Sequence, residues 1–553
     1  MKKRLMILLL AALGAVSCSE KKTDSGHTTV PPVVITSDGS EITLSCGGYN
    51  VSITDLNEKS AKSFCKAIDS DFTEETLNNV WFCENIYGVG LASVVYFGKY
   101  ASKLTENDWK KLEDIAASPE KYADIIRSED SSKHGLSAYG MYASRIPDSA
   151  YFDTMTEEIV CDLISQKNYT RQQAFEFLYS EGIRIETPYS PEIQCAVDEV
   201  YSDAASFTEN ANSSFPQSAC VVTDGHGNVL AMAGGNNGNA AYNRAYRTLH
   251  PIGSTIKPIA VYAPAFTQNE IHFSSIVPDE PIILTENGTS MQWPSNYNDI
   301  YEGNVTVTYA LRQSKNTVPV QLAKRIGLEK CFDYMKNILH FSTLTENDCD
   351  YSQMAMGYLS QGVRLTELAS AYEIFGNGGN YYEPCFYTKV LDSNGNVIIE
   401  NTSTPENALS SEDAWILNRL LNYNITMEDG IAGAALPDNG CEVYGKTGTV
   451  DNKTGNDTDK LFAGGTPDFT AAVWIGFDDK NSTIDNTDYI SPAAIWKNII
   501  DRLPVENTSF TADSSVEMLS YCTESGGLAS DNCPETEIGY YKQDMLPNEC
   551  SIH

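Results

Sequence analysis

The sequence feature that most constrains the fold is a predicted β-hairpin near the middle of the chain. Two more strand-forming runs follow it much later in the sequence. The runs Ser218–Thr223 and Val229–Met232 are rich in apolar and β-branched residues, and a glycine-rich turn joins them. Further strands are predicted at Val443–Val450 and Phe469–Phe477, after a helical block. Strands at both ends with helices between them predict an α/β fold of the α+β type, with a largely antiparallel sheet flanked by helices.

Composition excludes several classes of function. The chain has 553 residues, and its 74 acidic against 38 basic side chains give a formal net charge of −36. This charge argues against a nucleic-acid partner, because phosphate binding needs clustered Lys and Arg. Seven scattered histidines and the lack of a Cys-x-x-Cys pair argue against a zinc site, so neither a metal nor a cofactor is expected.

The N-terminus carries an export signal. Three basic residues precede the apolar run Leu5–Val16, which is too short to span a bilayer. The stretch Ala15–Cys18 resembles a bacterial lipobox, which implies lipidation at Cys18 and a lipid anchor on the outer face of the cytoplasmic membrane. The alternative is an ordinary cleaved signal with an incidental cysteine. Either way the other 13 of the 14 cysteines lie in a disulfide-permissive space.

The chain divides into five predicted segments. A signal peptide over 1–17 is followed by a flexible tether over 18–44 and a mostly helical N-terminal domain over 45–187. A large domain over 188–505 and a cysteine-containing tail over 506–553 complete the chain as given. Helices are predicted over Glu58–Asp69, Glu74–Phe82, Glu106–Ala117, Arg171–Glu181, Pro191–Ser202 and Pro492–Leu503, and a second hairpin over Phe386–Leu391 and Asn396–Ile399.

The first chemical motif is Ser254-Thr-Ile-Lys257. Three residues apart on a helix, Ser254 and Lys257 share one face. A serine hydroxyl is a weak nucleophile and needs an adjacent base. A lysine acts as that base only where its surroundings lower its pKa, and a helix N-terminus does so. The motif alone is weak, since a capping serine beside a solvated lysine gives the same letters.

Two further motifs follow in order. Ser314 and Asn316 stand two apart and can face one cleft, although helix-cap chemistry would explain them equally well. Lys446-Thr447-Gly448-Thr449 lies in a strand-forming stretch, where Lys446 and Gly448 share a face. A cation, a hydroxyl and a glycine beside one another could bind a carboxylate.

The three motifs together resemble the set found in penicillin-binding proteins and related β-lactamases. The resemblance is to the transpeptidase domain of class A penicillin-binding proteins and covers about residues 190 to 553. It extends over five further stretches: Asn243–Tyr262, Ala310–Asn316, Leu368–Gly378, Phe462–Asp478 and the tail around Cys522, Cys533, Cys550 and His553. Two departures are His250 in place of a usual glutamine, for which a structural role is expected, and Leu461 in place of an aromatic residue.

The resemblance implies a role for each matched residue. Ser254 would be the acyl-accepting nucleophile and Lys257 its general base, while Ser314 relays a proton and Asn316 holds the substrate amide. Lys446 and Thr447 would bind the terminal carboxylate of a D-alanyl-D-alanine stem peptide or of a β-lactam, beside Gly448. The backbone N–H groups of Ser254 and Thr449 would form the oxyanion hole.

The N-terminal half resembles only part of a class A glycosyltransferase domain. Three stretches match its second half: Thr76–Phe82, Tyr87–Gly90 and Tyr96–Leu104. The first half, with its catalytic glutamates, has no counterpart. Residues 45–187 are therefore expected to be a degenerate remnant, and the glycan polymerase to be a separate partner. The alternative is an unrelated helical domain.

Three functions remain open at this point. The first is a D,D-transpeptidase that cross-links peptidoglycan stem peptides. The second is a hydrolase on the same scaffold, a DD-carboxypeptidase or a β-lactamase. The third is a non-catalytic sensor or scaffold that binds β-lactams.

Overall fold

The computed structural model describes most of the chain after residue 31. The described residues are 32–43, 56–68, 70–73, 76–77, 80–83, 86–87, 89–97, 101, 104–117, 149–178, 182–203, 207, 216–236, 243–286, 289–452, 455–478, 482–484 and 489–553. The predicted signal peptide, Cys18 and part of the tether lie outside them. The chain forms two compact units. Unit 1 comprises the described parts of 1–148, 152–187 and 387–400, and unit 2 the described parts of 149–151, 188–386 and 401–553.

The strands are numbered in chain order, and the helices are identified by their first and last residues. The strands are β1 Val33–Ile35, β2 Glu41–Thr43, β3 Trp81–Cys83, β4 Ile86–Tyr87, β5 Arg184–Glu186, β6 Gln217–Thr223, β7 Val229–Ala233, β8 Ile276–Asp279, β9 Ile283–Glu286, β10 Thr289–Gln292, β11 Gly303–Thr306, β12 Asn380–Tyr381, β13 Lys389–Leu391, β14 Val397–Glu400, β15 Glu406–Asn407, β16 Tyr444–Asp451, β17 Asp457–Gly465, β18 Thr470–Gly476, β19 Val516–Cys522 and β20 Thr536–Lys542. The α-helices are Glu58–Ala67, Val89–Phe97, Glu106–Ala117, Ala150–Lys167, Arg171–Leu178, Pro191–Ser202, Ala263–Thr267, Val307–Arg312, Thr317–Ile326, Leu328–Asp333, Tyr351–Met356, Leu365–Glu373, Ser411–Thr426 and Pro492–Ile500.

Unit 1 combines helices with a five-stranded sheet in the order β14-β13-β5-β1-β2. The predicted hairpin at Phe386–Leu391 and Asn396–Ile399 is confirmed as β13 and β14, and β13 pairs with β5. Part of the core is aromatic, since the Phe64 ring lies 5.7 Å from Trp109 and 5.9 Å from Phe82. The predicted helix over Glu74–Phe82 is wrong at its end, where bulky Trp81 and Phe82 enter strand β3.

Unit 2 contains an antiparallel sheet in the order β16-β17-β18-β6-β7. This arrangement confirms the predicted fold class, with strands from both ends of the unit meeting in one sheet. Strand β17 was not among the predicted strands. Its sequence ends in Gly464-Gly465, and glycine is depleted in strands. It nevertheless lies between β16 and β18, with Lys446 opposite Ala463.

Helices cover this sheet and bury its apolar side chains. The predicted helix Pro191–Ser202 begins at the Ser190 cap, whose side chain accepts a hydrogen bond from the backbone N–H of Ile193. It shares a hydrophobic cluster with β6, β18 and the helix Pro492–Ile500, around Trp496 and Phe462. All nine residues of the helix Leu365–Glu373 are buried, and it contacts β6, β17 and β18. Strand β16 is therefore the edge strand of a sheet that packs against a buried core.

The tail of the chain folds with unit 2. Strands β19 and β20 form an antiparallel hairpin that contacts the helix Ser411–Thr426. Among the described residues, no helix combines the length and apolar character that crossing a membrane requires.

Candidate active site

Ser254 lies at the start of a buried helical segment. Gly253–Thr255 form a 3₁₀ turn, Pro258–Tyr262 continue as a π-helical turn, and the α-helix Ala263–Thr267 follows. Ser254 is half-buried, whereas every residue from Thr255 to Phe266 is buried. The segment therefore presents Ser254 at the edge of the core. Ser254 and Lys257 therefore both lie in a helical segment, with Ser254 in its opening 3₁₀ turn.

Lys257 lies one turn after Ser254 and is 1% exposed. Its Nζ lies 2.7 Å from Asn316 Oδ1, 2.8 Å from the Ser314 carbonyl oxygen, 3.1 Å from the Lys315 carbonyl oxygen and 3.3 Å from Ser314 Oγ. Burial, and then the nearby charge of Lys446, hold the pKa of Lys257 well below its usual value. A lowered pKa makes it easier for this amine to lose a proton, and the neutral form could then accept one, as a general base must.

The turn Ser314-Lys315-Asn316 has an unusual backbone. Ser314 has a φ of +53°, which costs a non-glycine residue about 1 kcal/mol. This conformation turns both the carbonyl and the hydroxyl of Ser314 toward Lys257. Asn316 is held at three points, because Nδ2 donates to the Ser295 carbonyl at 2.7 Å, its backbone N–H donates to Asn296 Oδ1 at 2.8 Å and Oδ1 accepts from Lys257.

A buried carboxylate supports this turn from behind. Asp279, at the end of β8, is fully buried and accepts hydrogen bonds from Asn296 Nδ2 and Thr317 Oγ1, both at 2.5 Å. Lys315 Nζ lies 3.1 Å from Asp279 and 2.7 Å from Glu302. Burial alone would raise the pKa of Asp279, but the hydrogen bonds lower it overall, so this side chain is a carboxylate. The sequence motif revealed Ser314 and Asn316, yet nothing in the sequence pointed to Asp279.

Strand β16 lies directly against the Ser254 turn. A Cβ atom on Gly448 would lie 2.5 Å from the Ile252 carbonyl oxygen, and one on Gly253 would lie 2.3 Å from that of Thr449. Both contacts are far shorter than real Cβ contacts, so only glycine allows the two backbones to approach so closely. This approach brings Thr449 next to the Ser254 turn, as an oxyanion hole built from both would require.

Lys446 is fully buried on β16, and its Nζ lies 3.2 Å from the Thr447 carbonyl. Burial lowers the pKa of Lys446 to about 7. Thr447 is half-buried and Thr449 exposed. A lysine with such a pKa gains strongly from an anionic ligand, since the ligand would stabilise the ammonium form.

His250 serves the structure rather than proton transfer in this geometry. It is 1% exposed, its Nε2 lies 2.8 Å from the Arg244 carbonyl, and its ring centroid lies 4.3 Å from that of Trp474. Burial lowers the pKa of His250. Leu461 stands opposite Gly448 in β17 and is 1% exposed. Both departures from the family pattern are therefore buried packing positions.

The structure brings the three motifs together in unit 2. Direct contacts join Lys257 to Ser314 and Asn316, and backbone packing joins the Ser254 turn to Gly448 and Thr449. Lys446 acts on Lys257 through its charge. The individual roles of these residues, and of Thr447, stay predictions.

One group of side chains in the described part of the chain could hold a metal ion. It consists of Cys522, Cys533, Cys550 and His553, and lies in the tail rather than in the motif cluster. The expectation of no metal site stays a prediction. It rested on scattered histidines and the lack of a Cys-x-x-Cys pair, whereas these side chains are spread over the last 32 residues and meet only in the folded tail.

Residues 217–501 match the family described as the penicillin-binding protein transpeptidase domain. The chain belongs to this family. Among its relatives, penicillin-binding protein 1A of Clostridium botulinum is 30% identical over 447 residues, which are 76% of this chain and 53% of that protein. Penicillin-binding protein 1F of Bacillus subtilis is 27% identical over 480 residues, or 81% of this chain and 63% of that protein. The chain thus spans less than two thirds of the length of either relative.

Solved structures of penicillin-binding proteins share the fold. Penicillin-binding protein 1A of Haemophilus influenzae superposes with a TM-score of 0.60 at 16% identity, over 95% of this chain and 99% of that one. PonA1 of Mycobacterium tuberculosis, in complex with penicillin V, gives a TM-score of 0.54 at 22% identity, over 65% of this chain and 95% of that one. Family and fold therefore agree with the resemblance drawn from the motifs, which is to class A members.

Proposed function

We propose that this penicillin-binding protein is a D,D-transpeptidase that cross-links peptidoglycan stem peptides through an acyl-enzyme on Ser254. The observation that carries the proposal is the buried Lys257 amine, which contacts both Ser314 and Asn316 while one helical turn from Ser254. A base of lowered pKa one helical turn after a half-buried serine can activate the serine hydroxyl. The curated relatives are named penicillin-binding proteins, which supports the same substrate class.

The first half-reaction forms the acyl-enzyme. Neutral Lys257 takes the Ser254 proton as Oγ attacks the carbonyl carbon of the penultimate D-alanine. Backbone N–H groups of Ser254 and Thr449 stabilise the oxyanion, and Lys446 with Thr447 hold the terminal carboxylate. The C–N bond then breaks, and terminal D-alanine leaves with a proton relayed through Ser314.

The second half-reaction transfers the acyl group. An amine of a neighbouring stem peptide attacks the ester carbon and loses a proton to the basic group. The C–O bond breaks, and Ser254 Oγ regains its proton. In a β-lactam the leaving nitrogen stays tethered to the acyl group, so it blocks the amine and the ester persists.

The cellular setting extends the proposal. The predicted export signal and the stretch at Cys18 that resembles a lipobox support a lipid-anchored enzyme on the outer face of the bacterial cytoplasmic membrane. The region 45–187 carries stretches similar to the second half of a glycosyltransferase domain and none similar to the first. We propose that it is a docking module or spacer and that a separate glycan polymerase makes the strands. Lipid II polymerisation by the purified chain alone would contradict this.

The proposed activity is tested with an inhibitor and with a substrate. The full chain is incubated with a fluorescent penicillin and, separately, with a pentapeptide stem in the presence of an acceptor amine, and both products are read by mass spectrometry. Ser254→Ala removes the nucleophile. Ser393→Ala, at an exposed hairpin turn in unit 1, is the matched control.

The outcomes separate the alternatives. A stable penicilloyl adduct on Ser254 with formation of stem dimers supports the transpeptidase. Rapid turnover of penicillin points to a β-lactamase, and release of D-alanine without dimers points to a carboxypeptidase. An adduct without any peptide product favours a sensor. If wild type and Ser254→Ala both stay unmodified, every acyl-enzyme mechanism is ruled out.

A further inference from the structure

Four metal-ligating side chains converge in the tail of unit 2. Cys522 ends β19, Cys533 lies in the loop before β20, and Cys550 and His553 follow β20. Their ligand atoms all lie within 4.8 Å of one another. Thirty residues separate the first from the last, so the fold rather than local sequence brings them together.

The separations fit a tetrahedral ion. His553 Nδ1 lies 3.4 Å from Cys522 Sγ and 3.5 Å from Cys550 Sγ. Zinc binds thiolate sulfur at about 2.3 Å and imidazole nitrogen at about 2.0–2.1 Å, which sets the S···N edge of a tetrahedron at about 3.6 Å. The two edges from His553 Nδ1 already have nearly this length.

The surrounding groups are those that a metal site needs. On the far side of the imidazole, His553 Nε2 lies 3.4 Å from the Glu524 carboxylate. A carboxylate there fixes the tautomer that leaves Nδ1 free to bind a metal. The sulfurs are also supported, because Ser525 Oγ donates to Cys550 Sγ at 3.2 Å and the Ser530 N–H donates to Cys533 Sγ at 3.2 Å.

The backbone holds these ligands in a closed loop. The Cys522 N–H donates to the Gly527 carbonyl at 2.8 Å, and the Gly526 N–H donates back to the Cys522 carbonyl at 2.9 Å. The Cys550 N–H donates to the Leu528 carbonyl at 2.8 Å, which places the last ligands alongside this loop. The loop then docks on the catalytic unit, where Ser274 Oγ donates to the Gly526 carbonyl at 2.6 Å.

We propose that Cys522, Cys533, Cys550 and His553 bind one Zn²⁺ ion in a closed tetrahedral site. Four protein ligands leave no open position for a substrate, so the role is structural. Binding would convert three thiols to thiolates and release three protons to solvent, while His553 binds as the neutral imidazole. The ion ties the loops of the tail to one another and, through Gly526, to Ser274 ahead of strand β8.

A disulfide is the competing use of three cysteines outside the cytoplasm. A disulfide would join two of the sulfurs, but it would not explain why the third cysteine and His553 lie within 4.8 Å of them. In the structure all three cysteines are free thiols. Because His553, with Glu524 on the far side of its ring, lies against the same sulfurs, the arrangement favours a metal site over a disulfide.

The experiment measures metal and thiols on the same preparation. The full chain is purified without chelator, zinc per chain is determined by elemental mass spectrometry, and free thiols are counted by alkylation. The zinc is then replaced by Co²⁺, whose absorption reports tetrahedral thiolate ligation. Cys533→Ser removes one ligand, and Cys195→Ser, an exposed cysteine on the helix Pro191–Ser202, is the matched control.

The expected result is about one zinc per chain in wild type and in Cys195→Ser, with its loss or a large drop in affinity in Cys533→Ser. The Co²⁺ form should show thiolate-to-metal charge transfer and tetrahedral ligand-field bands. Chelator should lower the melting temperature of the wild type but not of Cys533→Ser. A disulfide between any two of Cys522, Cys533 and Cys550, or a wild-type chain that neither retains zinc nor takes up Co²⁺, would overturn the proposal. Since Ser254 acylation is measured separately, either proposal can fail without the other.

Discussion

Two buried lysines set the chemistry of this site at the scale of single residues. In the described part of the chain, neither Lys257 nor Lys446 lies within ion-pair distance of a carboxylate, and burial lowers both pKa values. Their expected tasks are opposite, because Lys257 must be neutral to accept a proton whereas Lys446 must be charged to bind a carboxylate. Their mutual repulsion helps to separate the two pKa values.

The rate of acylation by penicillin should therefore have a bell-shaped dependence on pH. It rises as Lys257 loses its proton and falls as Lys446 loses its own, with the falling limb of kcat/KM starting near pH 7. Stopped-flow measurement of acylation across the pH range checks this. A penicillin ester, which has no carboxylate for Lys446 to bind, should react slowly and lack the falling limb. A rate with both substrates that rises steadily with pH would contradict the assignment.

Replacing Lys446 by methionine should stabilise the fold while it abolishes efficient acylation. A fall of the pKa from 10.5 to about 7 corresponds to about 4–5 kcal/mol of destabilisation below pH 7, at about 1.4 kcal/mol for each unit. Lost hydrogen bonds offset part of this, so Lys446→Met should gain about 2–3 kcal/mol. Since the cost in the wild type disappears as pH rises from about 7 toward 10.5, the gain should shrink over the same range.

Chemical denaturation at several pH values measures this gain. Lys497→Met is the control, because Lys497 forms ion pairs with Asp438 and Asp501, which raise its pKa. Its replacement should not stabilise the chain. A Lys446→Met variant less stable than wild type at neutral pH would show that the buried amine contributes favourable contacts instead.

At the scale of elements, local patterns predicted four of the five strands of the sheet in unit 2, but they missed several helices, Ala150–Lys167 and Ser411–Thr426 among them. The bounds of Pro191–Ser202 and Glu106–Ala117 agree with the structure, because caps and apolar periodicity are local signals. Strand β17 was missed because its glycines carry no strand signal, and only its neighbours β16 and β18 explain it. The motifs likewise predicted Ser314 and Asn316 as site residues but not Asp279. The role of Asp279 depends on its contacts with Asn296 and Thr317, which no local sequence pattern shows.

The contact between β16 and the Ser254 turn requires glycine at position 448. In Gly448→Ala the new methyl group would lie 2.5 Å from the Ile252 carbonyl oxygen, so the strand must move away from the turn. We expect a loss of stability of about 1–3 kcal/mol and a fall in acylation rate of about a hundredfold or more, because the Thr449 N–H moves with the strand. Penicillin acylation kinetics and denaturation of the same variant measure both effects.

Gly433→Ala is the matched control for this substitution. Its added methyl group would lie 3.8 Å from its nearest neighbour, the Ile425 carbonyl oxygen, which is an ordinary contact. It should acylate at the wild-type rate. If Gly448→Ala also did so, the close approach of the two backbones would have no part in catalysis.

At the scale of the whole molecule, the proposed function requires a strongly negative chain to bind a negative substrate. The formal charge is −36, whereas stem peptides and penicillins each present a carboxylate to the site. Long-range repulsion slows the encounter of like charges, and salt screens it. The Debye length falls from about 30 Å at 0.01 M to about 8 Å at 0.15 M salt, so this range covers the transition from an unscreened to a screened surface. The lysines of the site act only at short distance, after the encounter.

The second-order rate of acylation by a monoanionic penicillin should therefore rise with salt, by about two- to tenfold between these ionic strengths. A zwitterionic β-lactam of zero net charge serves as the control and should change little, because the field of the chain does not repel it at long range. Both rates are read under pseudo-first-order conditions at one pH. A penicillin rate that falls with salt would mean that the cationic groups around Lys446 control the approach, and that the acidic surface is too distant to matter.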